Sequence, residues 1–249
     1  SHKKAEFDLA RIRALNNTFC GSRKITSRVL LEEAKNLVYR TKFDNALKKI
    51  AELNRMPAKS GDTLIEAEEL LLEARIWAAR SLFTKALDLL DKFRTSPAAR
   101  HHLLAASELR LRIRIYLGQG KLDRADFFMK ELLSKRNFLS AYTLVKTRIL
   151  QAELNLLQKN FQKAETCIYD ALKIAEKHFY IPQIAEACFL KAQCLVIREE
   201  YQLALPYCCR SNRLAAKTNR PELKLKAHLM RKMAENKQNR TIFIPFSDL

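Results

Sequence analysis

The chain has 249 residues and a net charge of +19, with hydrophobic residues at 48% and charged residues at 29%. That balance excludes a disordered chain, and only four glycines and six prolines exclude a fold made of many hairpin turns. A field this positive favours acidic partners (nucleic acid, an anionic membrane or an acidic protein) without choosing among them. In chain order, residues 1–26 read as an N-terminal capping helix, with Phe7, Ile12, Leu15 and Phe19 on one broad face. The opening Ser1-His2 without a Met suits a fragment of a longer protein. From residue 27 the pattern becomes periodic.

An aromatic residue or Leu, then Ala three positions on, then an apolar residue four further on, recurs five times. The sets are Phe43, Ala46 and Ile50; Phe83, Ala86 and Leu90; Leu122, Ala125 and Met129; Phe161, Ala164 and Ile168; and Tyr201, Ala204 and Cys208. The alanines are spaced by 40, 39, 39 and 40 residues. A second anchor precedes each by twelve residues, at Ala34, Ala74, Ile113, Ala152 and Ala192, with Leu37, Trp77, Tyr116, Asn155 and Leu195 three positions later. Only Asn155 breaks the bulky apolar pattern.

A small residue lets two helices approach closely, and large residues one turn away fill the flanking space. The sequence therefore predicts an all-α chain of about five helix–turn–helix repeats, at about 27–66, 67–105, 106–144, 145–184 and 185–220. One pair cannot bury its apolar face alone, so the pairs must stack into an α-solenoid. Gly118, Gly120 and Asn160 fall at turns, and Pro57, Pro97, Pro182 and Pro221 fall between units. Residues 221–240 read as a basic C-terminal helix. Residues 241–249 read as an extended apolar tail whose Ile242, Phe243, Ile244 and Phe246 either pack on the solenoid end or dock on a partner.

These residues resemble the tetratricopeptide repeat over 27 to about 220. The chain departs from that family in two ways. Ala or Ile stands where the family has Gly in the first helix, and the period exceeds the family's 34 or so residues. The resemblance implies a right-handed superhelix in which first helices line a concave face that binds protein. Long-helix versions occur in scaffold subunits of large assemblies. Residues 164–177 and 185–204 are similar to the fifth-subunit family of the anaphase-promoting ubiquitin ligase, which implies a cell-cycle complex in the nucleus or cytoplasm.

In that register one concave row is Lys35, Arg75, Arg114, Glu153 and Gln193. A second is Leu31, Leu71, Arg110, Ile149 and Phe189, and a third is Val38, Ala78, Leu117, Leu156 and Val196. The candidate binding residues are the basic strip Lys35, Arg75, Arg110 and Arg114 beside the apolar Leu31, Leu71 and Ile149, with Phe189 as an exposed aromatic. Such a face suits an acidic segment with apolar anchors. The clamp that some family members close on C-terminal carboxylates is not matched, since Glu32, Leu72 and Leu111 stand at its positions.

No glycine-rich phosphate loop and no nucleophile motif is present. Adjacent His101 and His102 diverge on a helix, and His178 sits outside zinc spacing from Cys167 and Cys188. We expect no enzyme, metal or cofactor. Glu32-Glu33, Glu68-Glu69 and Glu199-Glu200 read as solvated faces or ion pairs. The cysteines, Cys20, Cys167, Cys188, Cys194, Cys208 and Cys209, form no C-x-x-C pair and read as reduced intracellular thiols. No apolar run is long enough to span a membrane. The expected function is a protein-interaction scaffold within a larger intracellular assembly. The rival is a nucleic-acid-binding solenoid, because residues 210–240 hold ten Lys and Arg against Glu222 and Glu235. That stretch has no aromatic residue to stack bases.

Overall fold

A computed structural model describes residues 23–55, 63–218 and 220–236. Most of the expected N-terminal cap and the whole tail, including Ile242, Phe243, Ile244 and Phe246, lie outside the described residues. Within them the chain is all-helical. Helices α1 (Arg23–Tyr39) and α2 (Phe43–Arg55) are followed by α3 (Thr63–Ala79) and α4 (Phe83–Thr95). Then come α5 (His102–Gly118), α6 (Leu122–Ser134), α7 (Ala141–Leu157), α8 (Phe161–Lys177), α9 (Ile181–Ile197), α10 (Tyr201–Lys217) and α11 (Pro221–Glu235). Short 3-10 turns, Pro97–Arg100 and Arg136–Phe138, precede α5 and α7.

The ten anchors explain the pairing. Ala34, Ala74, Ile113, Ala152 and Ala192 on first helices, and Ala46, Ala86, Ala125, Ala164 and Ala204 on second helices, are all 0% exposed. A residue without a long side chain at the crossing allows close helix axes. The neighbours Ile50, Leu90, Met129, Ile168 and Cys208 fill the adjoining space and are buried.

Each first helix ends in the same way. Thr41, Ser81, Gly120, Lys159 and Glu199 hold φ between 57° and 70°. The next amide donates back to the carbonyl five residues earlier: Lys42 to Leu37, Leu82 to Trp77, Lys121 to Tyr116, Asn160 to Asn155 and Glu200 to Leu195, at 2.8–2.9 Å. This left-handed cap satisfies carbonyls that a helix end would otherwise orphan. Its acceptors are the bulky second-anchor residues. That also accounts for Asn155, whose carbonyl closes the cap while its Nδ2 donates to the Gln151 carbonyl at 2.8 Å. Only one of the five left-handed positions is glycine, so the sequence shows little sign of the motif.

The first helices begin at 23, 63, 102, 141, 181 and 221. The repeat boundaries read from the sequence therefore fall about four residues late, inside α3, α5, α7 and α9. The buried anchors mark only the central turns of a helix, so a first turn that is partly exposed, as in α3, α5 and α7, reads as part of the preceding unit. Residues 23–26 likewise belong to α1. Helix α11 occupies the position of a sixth first helix, beyond the five expected repeats.

The described residues divide into two compact units, one ending at Glu108 and the other beginning at Leu109, inside α5. In the first unit α1 packs on α2 and α3, and α3 on α4. Its core includes Leu31, Ile50, Leu53, Ile65, Leu72 and Ile76. In the second, α7 packs on α6 and α8, and α10 on α11; α9 packs against α7, α8, α10 and α11. Such a helix is buried on most of its circumference, and Gln183 through Leu190 are buried without a break, Gln183 and Glu186 being the polar members of that run. No helix among the described residues is long and apolar enough to cross a membrane.

Candidate functional site

Residues 18 positions before the second-helix alanines form a row on successive first helices: Arg28, Glu68, Ser107, Lys146 and Glu186, with Lys226 at the equivalent place on α11. Apart from Ser107 the charges alternate in sign. The row Lys35, Arg75, Arg114, Glu153 and Gln193 lies two helical turns further along the same face.

In the first unit the two rows converge on Glu68. Arg28 Nη1 donates to its Oε1 at 2.8 Å, and Lys35 Nζ donates to its Oε2. Lys35 also reaches Glu32 at 2.8 Å. Burial alone would push the Glu68 carboxyl up, but Lys35 and Arg28 outweigh it and hold the group below its ordinary value. Arg75 is exposed and lies 5.3 Å over the Tyr39 ring.

The second unit repeats the device around Glu186, the counterpart of Glu68 three repeats later. Glu186 is 4% exposed, and Arg220, from the residue before α11, donates to its Oε1. Burial opposes ionisation of this carboxyl, yet Arg220, Arg114 and Lys146 together hold it below the usual range. Lys146 Nζ sits 4.3 Å above the Tyr142 ring. Tyr142 meets Tyr180 edge-to-face at 5.2 Å, and His178 stacks on Tyr180 at 5.4 Å. A buried carboxylate held by Arg220 and a tyrosine pair capped by Lys146 thus lie toward the N-terminal ends of α7, α9 and α11, and the charge of Arg114 on α5 also acts on Glu186.

The expected apolar floor is not at the surface. Leu31 and Phe189 are 0% exposed and Ile149 is 3% exposed, while Leu71 is half-buried. These positions lie three residues from the first-helix anchors and share their core-facing side. Phe189, expected as an exposed aromatic, is instead enclosed because helices flank α9 on four sides. The basic residues divide between the units: Lys35 and Arg75 belong to the first, Arg110 and Arg114 to the second. Lys35 and Arg114 each join a carboxylate cluster, whereas Arg75 stands over a ring. Arg110 is half-buried.

Of the glutamate pairs, Glu69 is buried rather than solvated. Glu33 and Glu200 make ion pairs, with Lys49 at 3.7 Å and Arg198 at 2.7 Å. His101 precedes α5 instead of lying on it, so its ring stacks on His102 at 5.3 Å. Among the described residues no group of three or more His, Cys, Asp and Glu is placed to hold a metal. Cys167, Cys188, Cys194 and Cys208 are buried free thiols and Cys209 is exposed. Burial pushes the Cys188 thiol up to about 11 and Cys208 to about 12.

Glu68, Glu186, Lys146, Arg220, Tyr142 and Tyr180 were absent from the candidate set read from sequence. The alternating row at the repeat period was the available signal for Glu68, Lys146 and Glu186; Arg220 and the tyrosines required the packing. No protein-family model matches the chain, and no curated protein does.

Proposed function

We propose that the chain is a right-handed solenoid of the tetratricopeptide kind, acting as a non-enzymatic scaffold that binds other proteins within a larger assembly. The observation that carries this is the fivefold recurrence, at 39–40 residues, of a fully buried anchor pair, alanine on both helices in four units and Ile113 with Ala125 in the third, and of a left-handed helix cap. Units built this way stack nearest neighbour on nearest neighbour and offer an extended face for a partner. The titratable groups support a binding role over catalysis. Glu68 and Glu186 are held ionised and the buried thiols held protonated, away from the near-neutral range that general acid–base work uses.

The long period supports placement among scaffold subunits, with the anaphase-promoting ubiquitin ligase as the assembly to test first. Affinity capture of the full chain from nuclease-treated extract, followed by identification of bound proteins, tests the reading. A stoichiometric protein partner is expected, and subunits of that ligase in the eluate would name the assembly. Capture that disappears on nuclease treatment would favour nucleic acid. That second reading is supported by Lys173, Lys177, Arg213 and Lys217, which sit at equivalent exposed positions of α8 and α10 and make no ion pair among the described residues.

A further inference from the structure

We propose that the open face of α11 around Leu225 and Leu229 is covered by the chain's own residues 241–249, laid along it as an extended segment. The proposal goes beyond the scaffold reading and concerns how this end of the array is finished.

The repeat register shows which face is open. Helices α9 and α11 begin 40 residues apart, at 181 and 221, so each α11 side chain has a counterpart on α9. On one face the two helices agree: Ala187 and Ala227, Leu190 and Met230, and Cys194 and Ala234 are all buried. On the other face they differ. Ala185 and Phe189 are 0% exposed on α9, whereas Leu225 and Leu229, at the same places on α11, are 58% and 42% exposed. Packing explains the split: α9 is flanked by α7, α8, α10 and α11, while among the described residues α11 packs on α9 and α10. The open face is also largely polar, with Lys224, His228 and Lys232 in place of Ile184, Cys188 and Ala192. A polar outer face suits the last helix of an array. The two leucines are the part of it that still has apolar area to bury.

The chemistry of this face selects its occupant. A packed helix is disfavoured, because Lys232 stands at the crossing position where the five other first helices carry the fully buried Ala34, Ala74, Ile113, Ala152 and Ala192. A second copy or a free partner needs roughly 800 Å² per side for a stable interface, far more than two leucines provide. A tethered segment escapes that requirement, since its linkage holds it at an effective concentration on the order of 1 mM. Residues 241–249, outside the described residues, have matching chemistry. They carry Ile242, Phe243, Ile244 and Phe246, with Pro245 opposing a helix and Asp248 able to face the lysines. The reach suffices. Leu229 lies seven residues before Asn236, about 10 Å along the helix axis. The six residues from Asn236 to Ile242 span up to about 20 Å when extended.

Photocrosslinking on the full chain tests this, with benzoylphenylalanine in place of Phe243. The expected product is an intramolecular link to α11 whose yield does not change on dilution. Leu225→Ser with Leu229→Ser should lower that yield about tenfold and speed chymotryptic cleavage after Phe246 by a similar factor. Both leucines are exposed, so their loss should leave the far-ultraviolet circular dichroism unchanged; if it does not, the position of the link in the chain that keeps both leucines decides alone. Links to other helices, equal yields with and without the leucines, or links between two chains that fade on dilution overturn the proposal.

Discussion

The left-handed residue that closes each turn is the most economical place to test the fold one side chain at a time. A residue with a Cβ at φ near +60° meets the following carbonyl, which costs about 1–2 kcal/mol. Phe179 takes φ 55° between α8 and α9 and is 80% exposed, so its ring contributes little burial to offset that strain. Phe179→Gly is expected to raise stability by about 0.5–1 kcal/mol, the relief of strain exceeding the added chain entropy of glycine. Urea unfolding measures it, and a lower midpoint would show that the ring packs more than its exposure indicates. This layer was largely hidden in the sequence. Of the five first-helix caps only Gly120 uses glycine, while Thr41, Ser81, Lys159 and Glu199 carry no turn signature. Asn155 looked like a fault in the apolar pattern because a sequence pattern does not show a side chain returning to its own backbone.

At the scale of the element, the paired small residues set the helix spacing. Ala164 on α8 is 0% exposed in a core with Ala152, Leu156 and Ile168. Ala164→Phe should overpack that crossing and cost about 1–3 kcal/mol, read as a fall in the urea midpoint with the slope unchanged. Equal stability would show that α7 and α8 are not held apart by these side chains. This part of the fold was legible beforehand, because a small residue is needed once at each crossing and so recurs at the unit period of 39–40 residues whatever surrounds it. Boundaries were less legible, since the first turn of each first helix is partly exposed and leaves no apolar mark. Unit length hid a further regularity. First helices α3, α5, α7 and α9 run 17 residues, whereas second helices have 13 in α4 and α6 but 17 in α8 and α10. The shorter ones are followed by six-residue connections containing the 3-10 turns, the longer ones by three. Pro97 shows why in one case: the residue before a proline leaves the helical region, and Ser96 takes ψ 152°.

Across the whole molecule the two carboxylate clusters link stability to pH. Glu68 in one unit and Glu186 in the other are held below their ordinary values, so the unfolded chain binds protons there before the folded chain does. Their contribution is complete above the ordinary carboxyl value and is lost as pH falls through the lowered one. Urea midpoints should thus fall as pH drops from about 5 to about 3. Glu186→Gln should be less stable at neutral pH, because it removes the carboxylate to which Arg220 donates, yet lose less over that acid range. Parallel pH curves for parent and variant would remove Glu186 from the acid response. The candidate site was the least legible layer. Lys35 and Arg114 stood out as positive charges, but their engagement with glutamates depends on packing between helices tens of residues apart in sequence. The alternating row that contains those glutamates also constrains ancestry. Recombination between equivalent positions removes whole repeats, and excision of residues 181–220 would bring Lys146 next to Lys226, two positive charges in a row that otherwise pairs opposites. Excision of 141–220 would place the neutral Ser107 there instead. The last two repeats are therefore expected to be gained or lost as a couple, with lineages differing in length by two units at this end.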